Sequence, residues 1–198
     1  MDREHIEKVV REVLDSTARS GDAPSPTQAE PGTAAGPPGA AVARERMFVA
    51  MGSDHGGFEL KEVLRRYLTD ELGVRVKDVG TNDTSACDYP DYANRVARAV
   101  ASGECDRGIV IDGAGIGSSM AANRVPGVLA ACCHDVKTVI NSREHNNANV
   151  LTMGSGVVGR GLARQMVRVW LSTEFAGGRH ERRVRKILDL EKLWTEKS

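Results

Sequence analysis

The sequence predicts an α/β fold on a five-stranded parallel sheet with helices on both faces, and three observations carry that prediction. Strand-like apolar runs alternate with segments of helical periodicity from residue 47 onward, the order that parallel βαβ units require. The run Gly108-Ile109-Val110-Ile111 is short, apolar and β-branched, as a strand buried on both faces must be. Directly after it come Asp112, three glycines at alternate positions (Gly113, Gly115 and Gly117) and a helix opening at Ser118-Ser119-Met120. Strand, glycine turn and helix start together form an anion-tolerant pocket, because glycine lets backbone N–H groups approach a ligand and the helix dipole favours negative charge. Asp112 stands at the strand's carboxyl end, where open α/β sheets bind ligands. The third glycine falls one residue early for the G-x-G-x-x-G fingerprint and the run lies mid-chain, so a nicotinamide dinucleotide is a poor fit.

Taken in order, residues 47–51 read as the first strand, and the glycine-rich turn 52–57 leads to a helix over 58–72 with Leu60, Val63, Leu64, Tyr67 and Leu68 on one face. Gly73 stops that helix. Residues 74–79 alternate as a second strand closed by turn chemistry at 80–83. A helix over 92–102 carries Ala93, Val96, Ala97 and Val100 on its apolar side, and the central strand comes next. The fourth strand is expected over 128–132, a short helix over 134–141, the fifth strand over 149–153 and a helix over 159–172. A polar, basic helix running to residue 194 reads as one that lies on a neighbouring subunit.

Ahead of this domain (46–198) stand two different segments. Over 1–18, Ile6, Val9, Val10, Val13 and Leu14 make one narrow apolar stripe among charged residues, an amphipathic helix that needs a partner surface. Residues 19–45 are rich in Pro, Ala, Gly, Ser and Thr and hold five of the seven prolines, the composition of a disordered tether. A flexible coil of about 25 residues has ends about 25 to 30 Å apart. A helix on a long leash resembles the encapsulation peptides that carry enzymes into bacterial microcompartments; the other reading is a helix that packs on its own domain or self-associates. The chain has 27 acidic and 27 basic residues, so no net field draws nucleic acid or an anionic membrane. No apolar run approaches a membrane span and the charged N-terminus is no secretory signal, so a soluble, intracellular protein is expected. Cys87, Cys105, Cys132 and Cys133 have no metal-binding spacing, and no metal site is expected.

Polar residues sit beside glycines near the strand ends: Asp54 and His55, Asp88 and Tyr89, Asp112, and His145 and Asn146. In a parallel sheet such ends share one edge, so these groups are expected to converge. Arg179 and Arg183, one helical turn apart, make a two-pronged anion clamp. Carboxylates, histidine and an arginine pair around glycine turns suit a small, phosphorylated, hydroxylated substrate. Each residue also has a plainer reading: Asp54 as a helix cap, His145 and Asn146 as a helix end, the arginines as a solvated face.

The blocks GSDHGGFELK (52–61), DYPDYA (88–93), GAGIGSSMAANRVPGVLAA (113–131), SREHNNANVLTMGS (142–155) and GGRHERRV (177–184) together resemble the ribose-5-phosphate isomerase B and galactose-6-phosphate isomerase family. The resemblance implies a Rossmann-like three-layer domain, a homodimer or tetramer with sites shared between subunits, and interconversion of an aldose phosphate and a ketose phosphate through a cis-enediolate without cofactor. It implies that His145 assists ring opening with Asp54 nearby, and that Asp88, Tyr89 and Asn146 hold sugar hydroxyls. His55, Arg179 and Arg183 would grip phosphate, and the backbone of Gly113 to Gly117 would face the enediolate oxygen. This chain departs from the family at Asp112 (a catalytic cysteine in many members), Ser118 (a glutamate in others), Ala114 (a hydroxyl residue) and Gly156 (a phosphate-binding arginine). Asp112 is then the expected base. The alternative expectation is a catalytically degenerate member that binds a sugar phosphate or serves as a scaffold.

Overall fold

The computed structural model describes residues 47–195; the helix expected over 1–18 and the tether over 19–45 lie outside the described residues. Five strands form one parallel sheet: β1 (Phe48–Ser53), β2 (Arg75–Asp78), β3 (Arg107–Asp112), β4 (Ala130–Cys132) and β5 (Val150–Gly154). Their spatial order is β2-β1-β3-β5-β4, with every pair parallel. The intervening helices are α1 (Phe58–Arg66), α2 (Tyr89–Ala101), α3 (Ile116–Ala122), α4 (Val136–Glu144) and α5 (Arg160–Ser172), and α6 (Arg179–Thr195) ends the described chain.

Side chains of a strand alternate between faces, and here the alternation separates two cores. Val49, Met51, Ile109, Ile111, Leu151 and Met153 face the layer of α1, α4 and α5, where Leu60, Leu64, Val139, Val167 and Trp170 meet them. Ala50, Val110 and Val150 face α2 and α3, meeting Ala93, Val96, Val100 and Ala122. The second layer lies very close to the sheet: a Cβ at Gly108 would stand 2.6 Å from Val96 Cγ1. That approach is possible only with glycine at this point of β3.

Several boundaries differ from expectation for identifiable reasons. α1 is followed by a wider π-helical turn, Tyr67–Glu71, in which both Tyr67 and Leu68 are buried. α2 starts at Tyr89 rather than 92, since Pro90 sits in the first turn where its missing N–H costs nothing. α4 starts after Asp135, whose carboxylate accepts the Thr138 N–H at 2.8 Å, and runs on to Glu144.

Registers fix the site. Ser53 pairs with Ile111 and Asp112 with Gly154, so the carboxyl ends of β1, β3 and β5 lie side by side. Each helix between parallel strands must return to the opposite edge before the next strand starts. Residues just after one strand and residues just before the next therefore lie at different edges.

One buried cation ties α1 to the edge strand. Lys61 is wholly buried, and its ammonium donates to Asp78 and to Glu62 at 3.2 Å. Arg65 also binds Glu62, at 2.8 Å, and holds its carboxyl down at about 2, with Lys61 adding to the effect. Breaking a buried pair from one side strands a charge, whereas replacing the buried ion with an apolar residue need not. Asp78→Ala leaves the buried ammonium with Glu62 alone and should lower unfolding free energy by about 2 to 3 kcal/mol, and Lys61→Met by about 1 or less. Urea midpoints check this, and the reverse order would contradict it.

Candidate active site

The glycine turn between β3 and α3 is closed by the carboxylate that precedes it. Asp112 Oδ1 accepts the N–H of Ala114 at 2.8 Å and also that of Gly115. Oδ2 accepts the Ser118 N–H at 3.0 Å and the Ser118 hydroxyl at 2.5 Å. Gly115 makes the closure possible with φ of +81°, a conformation that glycine adopts without strain. β5 and the residues just after it brace the turn's carbonyls. Ser155 N–H donates to the Asp112 carbonyl at 2.8 Å, Gly156 N–H to that of Gly113 at 3.1 Å and Thr152 Oγ1 to that of Gly115 at 2.8 Å. Cys132 Sγ lies 3.8 Å from the Ala114 carbonyl, and burial pushes its thiol pKa up.

This geometry commits the Asp112 carboxylate to the turn's own donors. Its residue is 4% exposed and both oxygens already accept two hydrogen bonds each. Taking a proton from a substrate requires breaking that frame. The turn's donors are divided accordingly: Ala114 and Gly115 are spent on Asp112, while the N–H groups of Gly113, Ile116 and Gly117 have no partner among the described residues. The expectation that the backbone from Gly113 to Gly117 acts as one anion-facing row thus narrows to three donors.

Around this turn stand Asp54, His55, Asp88 and Tyr89. Asp54 is 9% exposed and closes the turn before α1, with Oδ1 accepting the Gly57 N–H at 2.9 Å. Its Oδ2 has no partner among the described residues and is open to solvent. A Cβ on Gly56 would lie 3.4 Å from Asp54 Oδ1 and 3.9 Å from the Gly113 nitrogen, so that carboxylate and an unpartnered donor of the turn both flank Gly56. His55 Nδ1 lies 3.1 Å from the Cys87 carbonyl and 3.3 Å from its N–H. Asp88 occupies the cap position of α2 without making a side-chain cap, and its carboxylate is exposed. The Tyr89 ring lies over Gly117, where a Cβ would meet its Cζ at 2.5 Å.

His145, Asn146, Arg179 and Arg183 do not join this group within one chain, which corrects the expected convergence. α4 leaves the carboxyl end of β4 and descends, so His145 caps its far end, five residues before β5 begins. There Arg143 binds the Ala148 and Thr173 carbonyls near the amino edge of the sheet, and Ala176 N–H donates to Glu144. His145 stacks on His180, ring centroids 4.1 Å apart and nearly parallel, and its Nδ1 lies 2.7 Å from Asn141 Nδ2. Desolvation and then the charges of His145, Arg179 and Arg183 push the His180 pKa down. Sequence reasoning missed His180 and Asn141 as partners of His145, although His180 lies inside the 177–184 block and Asn141 one helical turn before His145. It also missed the braces at Thr152 and Ser155, whose only signal was β5's register.

Among the described residues no group of three or more His, Cys, Asp or Glu could hold a metal ion, and no helix is long and apolar enough to cross a membrane. Asp112→Ala leaves three backbone donors of the turn without their acceptor and should cost about 3 kcal/mol. Amide hydrogen exchange at Ala114, Gly115 and Ser118 should accelerate together; unchanged protection would show that the carboxylate does not hold the turn.

Comparison with known proteins agrees with this architecture. Residues 49–187 match the family described as Ribose/Galactose Isomerase. The ribose-5-phosphate isomerase B structure from Clostridium thermocellum is 51% identical, superposes with a TM-score of 0.73, and the match covers 75% of this chain and 99% of that one. Ribose-5-phosphate isomerase B of Escherichia coli (strain K12) is 47% identical over 143 residues, 72% of this chain and 95% of that protein. D-erythrulose-4-phosphate isomerase 2 of Mycolicibacterium smegmatis (strain ATCC 700084 / mc(2)155) is 45% identical over 131 residues, 64% of this chain and 85% of that protein. With a family match over most of its length and close relatives covered almost end to end, the chain belongs to the ribose/galactose isomerase family.

Proposed function

We propose that this protein is a sugar-phosphate isomerase that interconverts ribose 5-phosphate and ribulose 5-phosphate through a cis-enediolate. The observation that carries the reading is the braced glycine turn, with unpartnered N–H groups at Gly113 and Gly117, and across Gly56 from it a buried carboxylate, Asp54, that has one oxygen free among the described residues. Fixed backbone donors aimed at a developing oxyanion are the strongest electrostatic help an enolisation can receive. The names of the relatives give the substrate class.

In this reading Asp54 Oδ2 takes the proton from C2 of the open-chain aldose. The C2–H electron pair forms the C1–C2 double bond and the carbonyl pair moves onto O1, whose charge the turn's N–H groups stabilise. Asp54 returns the proton to C1 while the O2 proton passes to O1 and the electron pair left on O2 restores a carbonyl at C2, giving the ketose. Asp112 and Ser118 hold the turn and do not exchange protons with substrate. Tyr89 and Asp88 contact hydroxyls, and His55 faces the phosphate.

His145 opens the ring, with Asn146, Arg179 and Arg183 beside it, and these come from a second copy of the chain. A two-fold dimer carries the amino-edge cluster of one chain to the carboxyl-edge cluster of the other. Apolar residues exposed near both clusters, Ile116 and Met120 on α3 and Ile187, Leu190 and Leu193 on α6, supply a surface for that contact. Residues 1–18 deliver the enzyme to a bacterial microcompartment shell.

Asp54→Asn keeps an acceptor for the Gly57 N–H and should lower kcat about 100-fold or more. Asp54→Asn and His145→Ala proteins, each inactive, should regain about a quarter of wild-type activity when their subunits are exchanged, because half the dimers are hybrids with one intact site. No regain would place each site in one chain. If wild-type protein neither converts ribose 5-phosphate nor exchanges its C2 hydrogen with solvent, the reading falls to that of a binder without turnover, which the saturation of Asp112 favours. Deleting residues 1–43 should leave a folded oligomer that no longer co-localises with shell proteins; unchanged localisation would remove the targeting role.

A further inference from the structure

A cavity of about 390 Å³ opens between the starts of α1 and α5, next to the glycine turn. Its volume lies within the range of small-molecule pockets, about 300–1,000 Å³. The ionisable side chains lining it are His55, Glu59 and Arg160, and Ser155 and Gly156 form its inner wall. That wall is continuous with the turn, since Gly156 N–H donates to the Gly113 carbonyl at 3.1 Å and Ser155 Oγ to the Gly56 carbonyl at 2.8 Å. Gly156 offers no side chain to the cavity. The cation available on this loop is Arg160, the first residue of α5.

Arg160 Nη2 lies 3.2 Å from Glu59 Oε2, and both side chains are largely exposed, 67% and 76%. An exposed ion pair contributes little and exchanges readily. A phosphate dianion offers a guanidinium two oxygens and a higher charge than one carboxylate does. Glu59 therefore keeps the guanidinium at the cavity mouth without holding it strongly. His55 closes the other side, with Nδ1 engaged by Cys87 and Nε2 without a partner among the described residues.

We propose that Arg160 adds a further cation to the phosphate site that His55 faces, exchanging Glu59 for the phosphate group of the substrate when the site fills. This assignment rests on the sugar-phosphate reading above and adds a specificity-determining residue to it. It makes the interval between the turn and Arg160 the ruler that selects a phosphorylated chain over a neutral sugar.

The test uses full-length protein and inorganic phosphate, followed by the ring resonances of His55. Wild type should give a saturable shift, Arg160→Leu should weaken the dissociation constant at least about tenfold, and Glu59→Gln should tighten it. In turnover assays Arg160→Leu should raise KM for the sugar phosphate about tenfold with kcat within about threefold, the pattern of lost uniform binding. Phosphate affinity unchanged in Arg160→Leu, or a kcat loss without a KM change, would overturn the assignment. If no sugar phosphate is turned over by wild type, the isomerase reading fails, yet the phosphate titration still decides for or against Arg160.

Discussion

The carboxylate of Asp112 is the constraint on which the site depends. A three-residue turn that must present free N–H groups to a ligand cannot hold itself, because its own donors would otherwise seek water or one another. Here a single buried side chain takes four hydrogen bonds from three residues of the turn and first helical residues. β5 and the loop after it fix the carbonyls, so the remaining donors at Gly113, Ile116 and Gly117 are aimed by exclusion. The site is thus preorganised in the sense that matters for charge development: no reorientation is needed when an oxyanion forms.

Topology then decides what one chain can and cannot assemble. A parallel sheet gathers the residues just after its strands at one edge and the residues just before them at the other. Asp54, His55, Tyr89 and Asp112 share the first edge, whereas His145, stacked on His180, belongs to the second. A mechanism that needs both groups needs two chains. The exposed apolar residues of α3 and α6 are consistent in kind with such an assembly.

Much of this was legible in the sequence, and the pattern of success reflects locality. β3, the glycine turn and α3 were readable because a β-branched run, alternate glycines and a helix opening are local signals. Asp54 reads from sequence as either a cap or a reactive group; the structure gives the cap position to Gly57, with one Asp54 oxygen holding the turn before it and the other without a partner among the described residues. Asp112 was placed at the correct strand end but not given its partners, since those depend on a left-handed φ at Gly115 that sequence records only as a glycine. The convergence of His145 with the other groups was expected from its nearness to a strand. Direction along α4 mattered more than nearness, and the start of β5 just after it fixes that direction. The braces at Thr152 and Ser155 come from a strand about 40 residues later in the chain and could not be paired with the turn before the register was known.

The division of labour between the two carboxylates is the central claim, and a crystal structure with a hydroxamate mimic of the enediolate bound tests it most directly. The account predicts that Asp112 still accepts the N–H groups of Ala114, Gly115 and Ser118, that a ligand oxygen sits on Gly113 or Gly117, and that Asp54 faces the bond between C1 and C2. A structure in which Ser118 has swung away and Asp112 itself lies within hydrogen-bond reach of C2 would contradict it.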